Sequence, residues 1–81
     1  MVERMTLADL NQVGQRASIV EVAGDDAVAV RLMEMGLTDG EEVTVIGFAP
    51  LGDPIEYSIR GYRLSLRKTE ASRVSVTLLS N

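Results

Sequence analysis

The sequence predicts a small, mainly-β domain: a five-stranded barrel with a short N-terminal helical turn and one helix after the first strand. Three observations point there. Short runs of β-branched and aromatic residues recur at close spacing. Glycines break those runs, as turns between neighbouring strands require. One stretch, residues 27–35, carries helical periodicity over more than two turns. Nothing repeats and no segment is of low complexity, so residues 1–81 read as one domain. A chain this short buries only roughly 60–65% of its unfolded surface, which leaves a thin margin of stability.

Residues 1–5 read as a frayed lead-in. Thr6-Leu7-Ala8-Asp9-Leu10 is a short helical turn, with Thr6 as N-cap and Asp9 three residues on. Ala17-Ser18-Ile19-Val20-Glu21-Val22 is β-branched enough for a first strand. Gly24-Asp25-Asp26 breaks it and supplies an N-cap for the helix over 27–35, which stops at Gly36. Asp39-Gly40 is a turn. Residues 42–49 are apolar on both faces and read as a central strand, bent at Gly47 so that a small barrel can close. Pro50, Gly52 and Pro54 make residues 49–54 a loop. Residues 55–60 and 63–68 alternate on either side of Gly61-Tyr62, which suits a type II′ hairpin turn. That register sets Ile59 opposite Leu64 and Tyr57 opposite Leu66 on the inner face. Arg60 then lies opposite Arg63 on the outer face. Residues 69–72 form a turn or short 3₁₀ piece, and Val74, Val76 and Leu78 alternate along a last strand.

Composition excludes much of catalysis. There is no cysteine and no histidine, which removes the usual ligands of zinc, copper and haem and the usual general base near neutral pH. No P-loop pattern occurs, and no serine has a histidine to activate it. The chain is therefore read as not an enzyme and as needing no cofactor. Asp25-Asp26 and Glu41-Glu42 are poor metal candidates. One of the first pair is better spent as a cap, and the second pair would point to opposite faces of a strand.

The formal net charge of −4 argues against nucleic acid as a partner. It is unevenly spread: residues 1–56 hold eleven of the twelve acids, and residues 57–81 hold five basic residues against Glu70 alone. A local basic surface on an acidic protein can steer one partner. No apolar run is long enough to cross a membrane, and the start of the chain lacks the apolar region of a signal peptide. A cytoplasmic location without membrane insertion is expected.

Three segments, taken in order, carry a family resemblance. They are Arg31-Leu32-Met33-Glu34-Met35-Gly36-Leu37-Thr38-Asp39-Gly40 with Val43-Thr44-Val45, the loop Ala49-Pro50-Leu51-Gly52-Asp53-Pro54, and Gly61-Tyr62-Arg63-Leu64-Ser65-Leu66-Arg67 with Glu70-Ala71 and Val74-Ser75-Val76. Together they resemble the ferrous iron transport protein A (FeoA) family from Leu7 to Val76. The one departure is Asp39, where such proteins commonly have proline; it affects turn stiffness alone. The resemblance implies an SH3-like barrel and a non-catalytic accessory role beside FeoB, the membrane ferrous iron transporter. Similar domains form the C-terminal part of iron-dependent repressors, so the alternative is an autonomous ligand- or metal-sensing module. A repressor would also need a DNA-reading helix-turn-helix, for which this chain has no room.

Three places could meet such a partner. On the helix over 27–35, Val28, Leu32 and Met35 share one side, and Ala29, Val30 and Met33 widen the apolar arc to roughly 220°. A helix packed on one side needs only about 100°, so Val30 and Met33 are a candidate docking flank. The plainer reading sinks the whole helix in a groove. An exposed Val30/Met33 flank would also invite a weak two-fold dimer. The hairpin offers Arg60, Arg63 and Arg67, where a like-charge pair is relieved by an acidic partner or is simply splayed into solvent. The loop offers Leu51 as an apolar contact, although its glycine and prolines first of all fix a turn. Because FeoB carries a GTPase domain, Arg31, Arg60 and Arg63 are the conceivable arginine fingers.

Overall fold

Alternation and capping place the elements where the residue pattern requires them. Residues 5–79 are described in a computed structural model. Strand β1 is Met5–Thr6, followed by a 3₁₀ turn at Leu7–Asp9; β2 is Arg16–Val22 and helix α1 is Ala27–Glu34. Then come β3 Glu42–Phe48, β4 Ile55–Ile59, β5 Tyr62–Leu66, helix α2 Lys68–Ala71 and β6 Val74–Leu79. The lead-in expected over residues 1–5 lies outside the described residues except for Met5, which pairs with Val76.

All pairings are antiparallel, and the six strands form one sheet in the order β1-β6-β2-β3-β4-β5. This corrects the five-stranded, SH3-like closed barrel expected from the sequence and from the family resemblance. Among the described residues β1 pairs with β6 and β5 with β4, and the two outer strands do not pair with each other, so the sheet stays open. The extra strand is the short β1, which takes the place beside β6. Closure also needs the outer edge of β5 to find a partner, and there Arg63 and Ser65 face solvent instead.

One face of the sheet carries the core. Ala17, Ile19, Val43, Val45, Ile55, Tyr57, Ile59, Leu66, Val74 and Val76 bury their side chains together with Leu7 and Leu10 of the N-terminal turn and Leu32 of α1. The chain is anchored to this core at its start by Tyr57, whose hydroxyl donates to the Leu7 carbonyl at 3.1 Å. Thr6 caps the 3₁₀ turn in reverse, its N–H donating to Asp9 Oδ2 at 2.8 Å. Gly47 sits at a register shift between Val45 and Gly47 of β3, the bend expected there, although it does not lead to closure.

The β4–β5 hairpin forms one step earlier than the sequence suggests. Ile59 lies opposite Tyr62, Ser58 opposite Arg63, Tyr57 opposite Leu64 and Ile55 opposite Leu66. The turn residues are Arg60 and Gly61, both at positive φ (54° and 85°), which is the type I′ geometry and not type II′. Glycine occupies its second position, and arginine accepts the left-handed conformation at the first. The expected Arg60–Arg63 pairing is therefore absent. The segment after β5, expected over residues 69–72 as a turn or short 3₁₀ piece, is the short α-helix α2.

Candidate functional site

Helix α1 is aimed by its two ends. The Asp26 carboxylate caps it, accepting from the Ala29 N–H at 3.2 Å, and grips Arg73 before β6 with two bonds of 2.6 and 2.7 Å. The Arg73 guanidinium and the Ala29 N–H hold the Asp26 carboxyl well below the usual carboxylate range. Reciprocally, the hydrogen-bonded Asp26 carboxylate raises Arg73. At the other end Gly36, at φ 102°, lets the chain leave the helix, and the Tyr62 hydroxyl donates to the Met35 carbonyl. Arg31 pairs with Glu70 of α2.

Clamped this way, α1 buries Ala29 and Leu32 completely and half-buries Val28, and its C-cap residue Met35 is half-buried too. Val30 and Met33, three residues apart, remain 45% and 41% exposed on the outward flank. The groove that would have swallowed the whole helix does not form. Leu51 stands at the tip of the 49–54 loop, 95% exposed. That loop is closed by the Ala49 N–H on the Pro54 carbonyl at 3.0 Å, and its Asp53 carboxylate accepts from the Lys68 N–H at 3.0 Å.

The arginines divide by partner. Arg60 reaches Glu41, with Nε at 3.1 Å and a terminal nitrogen at 3.0 Å from the same oxygen. Arg63 is 75% exposed at the side chain and comes only within 4.0 Å of Glu56. Arg67 uses its backbone N–H on Glu70 at 2.9 Å, opening α2. The hairpin tip and the C-terminal end of α1 meet, since a Cβ on Gly36 would lie 2.6 Å from the Tyr62 hydroxyl and 3.9 Å from Arg60 Cδ. The structure thus brings Tyr62 and Arg60 to the Met35–Gly36 end of α1, and holds Leu51 on a separate loop that is tied to Lys68 through Asp53.

Three of the four carboxylates weighed as metal ligands are engaged as cap or pair partner: Asp26 with Arg73, Glu41 with Arg60, and Glu42 with Arg16 at 2.7 Å. Among the described residues no group of three or more acidic side chains is gathered to hold a metal ion. No helix among the described residues is long and apolar enough to cross a membrane.

Sequence reasoning missed one feature. A hollow of about 260 Å³ opens on the outer face beside the hairpin, lined by Gly47, Phe48, Ala49, Pro54, Glu56 and Ser65. Gly47, Glu56 and Ser65 are successive cross-strand partners on β3, β4 and β5. The hollow exists because Gly47 brings no side chain to that row. The glycine was visible in the sequence; its neighbours depended on the hairpin register.

Comparison with known proteins agrees with this architecture. The Fe(2+) transport protein A/Fe(2+) transporter FeoB fusion protein of Porphyromonas gingivalis is 40% identical over 77 residues, covering 95% of this chain but 9% of that protein. The NMR structure of a FeoA-like protein from Clostridium acetobutylicum superposes with a TM-score of 0.88 at 33% identity, covering 100% of this chain and 93% of that one. A manganese-dependent transcriptional repressor shares the fold alone, with a TM-score of 0.83 at 15% identity over 98% of this chain and 38% of that one. A model of the FeoA domain matches residues 5–78, nearly the whole described chain, and the chain belongs to the FeoA family.

Proposed function

We propose that this chain is a non-catalytic accessory module of ferrous iron uptake, working in the cytoplasm by docking on a FeoB-type transporter. One observation carries the reading: in the Porphyromonas gingivalis relative, a segment similar to almost all of this chain is part of one polypeptide named for the transporter. Fusing two modules that must meet makes their encounter intramolecular and raises the effective concentration of each for the other. Separate chains with the same task need a docking surface instead. The outward flank of Val30 and Met33, the loop tip at Leu51, and Arg60, Arg63 and Arg67 on and after the hairpin supply its apolar and cationic parts.

The test is capture of cytosolic fragments of a FeoB-type transporter on the immobilised chain, with GTP turnover measured on the retained fragment. Saturable retention, with turnover altered by the added chain, is expected. Failure to retain any fragment or the intact transporter contradicts the proposal. The ligand-sensing alternative has only the shared repressor fold behind it, and a metal-dependent rise in melting temperature would revive it.

A further inference from the structure

Among the described residues the outer edge of β5 pairs with no other strand. In a two-residue hairpin the residues flanking the turn exchange backbone hydrogen bonds, and bonded pairs then alternate along the ladder. Ile59–Tyr62, Tyr57–Leu64 and Ile55–Leu66 are thus the bonded pairs of β4 and β5. The N–H and C=O groups of Arg63 and Ser65 consequently point away from the sheet, and both residues are exposed. Their side chains stand on the outer face with those of Glu56 and Ser58.

Two further observations say what would cover this edge. The hollow lined by Gly47, Phe48, Pro54 and Glu56 ends at Ser65, so it lies directly beside the free edge. Exposed cations flank Ser65 in the chain: Arg63 two residues before it and Arg67, still extended, two residues after. Among the described residues Arg63 is offset by the 4.0 Å approach of Glu56.

We propose that β5 accepts an extended, acidic segment of a partner protein as a seventh strand, with the pattern acidic–x–apolar–x–acidic. The backbone of the segment pairs with Arg63 and Ser65. Its central apolar side chain lies opposite Ser65, over the end of the hollow nearest the edge, and its acidic side chains lie opposite Arg63 and Arg67. Backbone pairing supplies affinity, as in other strand-addition modes, and the charges flanking Ser65 supply selectivity. A second copy of this chain fits less well, because two β5 edges set side by side bring their arginines together. The inference rests on the docking reading above and assigns it a strand edge and a ligand chemistry.

The probe is a capped peptide centred on Glu-Thr-Val-Thr-Glu, titrated into the ¹⁵N-labelled chain. Saturable shifts and slowed exchange at the Arg63 and Ser65 amides are expected. Lys-Thr-Val-Thr-Lys and Glu-Thr-Pro-Thr-Glu should each bind at least about tenfold more weakly, the first by charge and the second by loss of a ladder donor. The R63E/R67E variant, checked for folding by its unchanged spectrum elsewhere, should reverse the preference towards the lysine peptide. Absence of binding, equal binding of the lysine peptide, shifts confined to other surfaces, or a dimer formed through β5 in place of binding would each overturn the proposal. Capture of a FeoB-type transporter equally by wild type and R63E/R67E keeps the transporter reading and rejects the edge. Peptide binding at β5 without transporter capture keeps the edge and rejects the transporter.

Discussion

Tyr57 buries a whole phenol ring and spends its hydroxyl on the Leu7 carbonyl, tying β4 to the first turn of the chain. Burial raises its pKa well above that of a free tyrosine. The folded state therefore keeps the proton in a range where the unfolded state gives it up. This contribution is fully present below the ordinary tyrosine pKa near 10 and declines as pH rises beyond it, by about 1.4 kcal/mol per pH unit. Tyr57→Phe should cost about 1–3 kcal/mol at neutral pH, because the Leu7 carbonyl loses its donor, and should remove this part of the alkaline decline. Denaturant titrations of both proteins from about pH 7 to 11 check both effects. Asp26 works in the opposite direction. Its folded pKa is depressed, so its contribution is present above the ordinary carboxylate range and is lost as pH falls through and below that range. Asp26→Asn, which keeps an N-cap side chain but weakens the grip on Arg73, should flatten the acid limb of the stability profile. Arg60 stands in the left-handed region at the first position of a type I′ turn, where asparagine is preferred. Arg60→Asn should raise stability by up to about 1 kcal/mol, since an exposed pair such as Arg60–Glu41 gives back little. An unchanged or lower denaturation midpoint would contradict that.

At the scale of elements, α1 shows how an apolar arc divides between core and surface. Leu32→Ala should destabilise the fold by about 2–5 kcal/mol, because Leu32 is fully buried against the sheet. Val30→Glu with Met33→Glu should change stability by no more than about 1 kcal/mol while weakening transporter capture, a separation that thermal melts and binding together can resolve. The ends of this helix were legible in the sequence from Gly36 and from the Asp25-Asp26 pair, of which the structure selects Asp26 as the cap. The hairpin was legible only in part. Two alternating runs marked both strands, but glycine can stand at the first position of one hairpin turn or the second of another. Choosing the first displaced every cross-strand pair and created an arginine pair that the chain does not form. Met5–Thr6 gave no sign of being a strand, because two residues have no alternation to read. Val30, Met33 and Leu51 were legible as surplus apolar residues, whereas the hollow beside Ser65 required the register.

At the scale of the whole molecule, period-two alternation says that one face of a sheet is buried but is silent on whether its edges meet. That is why strand content could be read and closure could not. An open sheet leaves an acidic protein with a free strand edge flanked by cations, next to a helix with an apolar outer flank. Docking through such a surface should weaken several-fold between about 50 and 500 mM salt, because exposed charges are screened while apolar contacts are not. Binding that strengthens across that range would assign the interface to apolar contact alone. The most direct measurement is calorimetric titration of this chain into a purified, detergent-solubilised FeoB-type transporter. The account predicts a saturable isotherm with a fixed stoichiometry, lost or much weakened by V30E/M33E. A flat isotherm with the folded wild-type chain would contradict it.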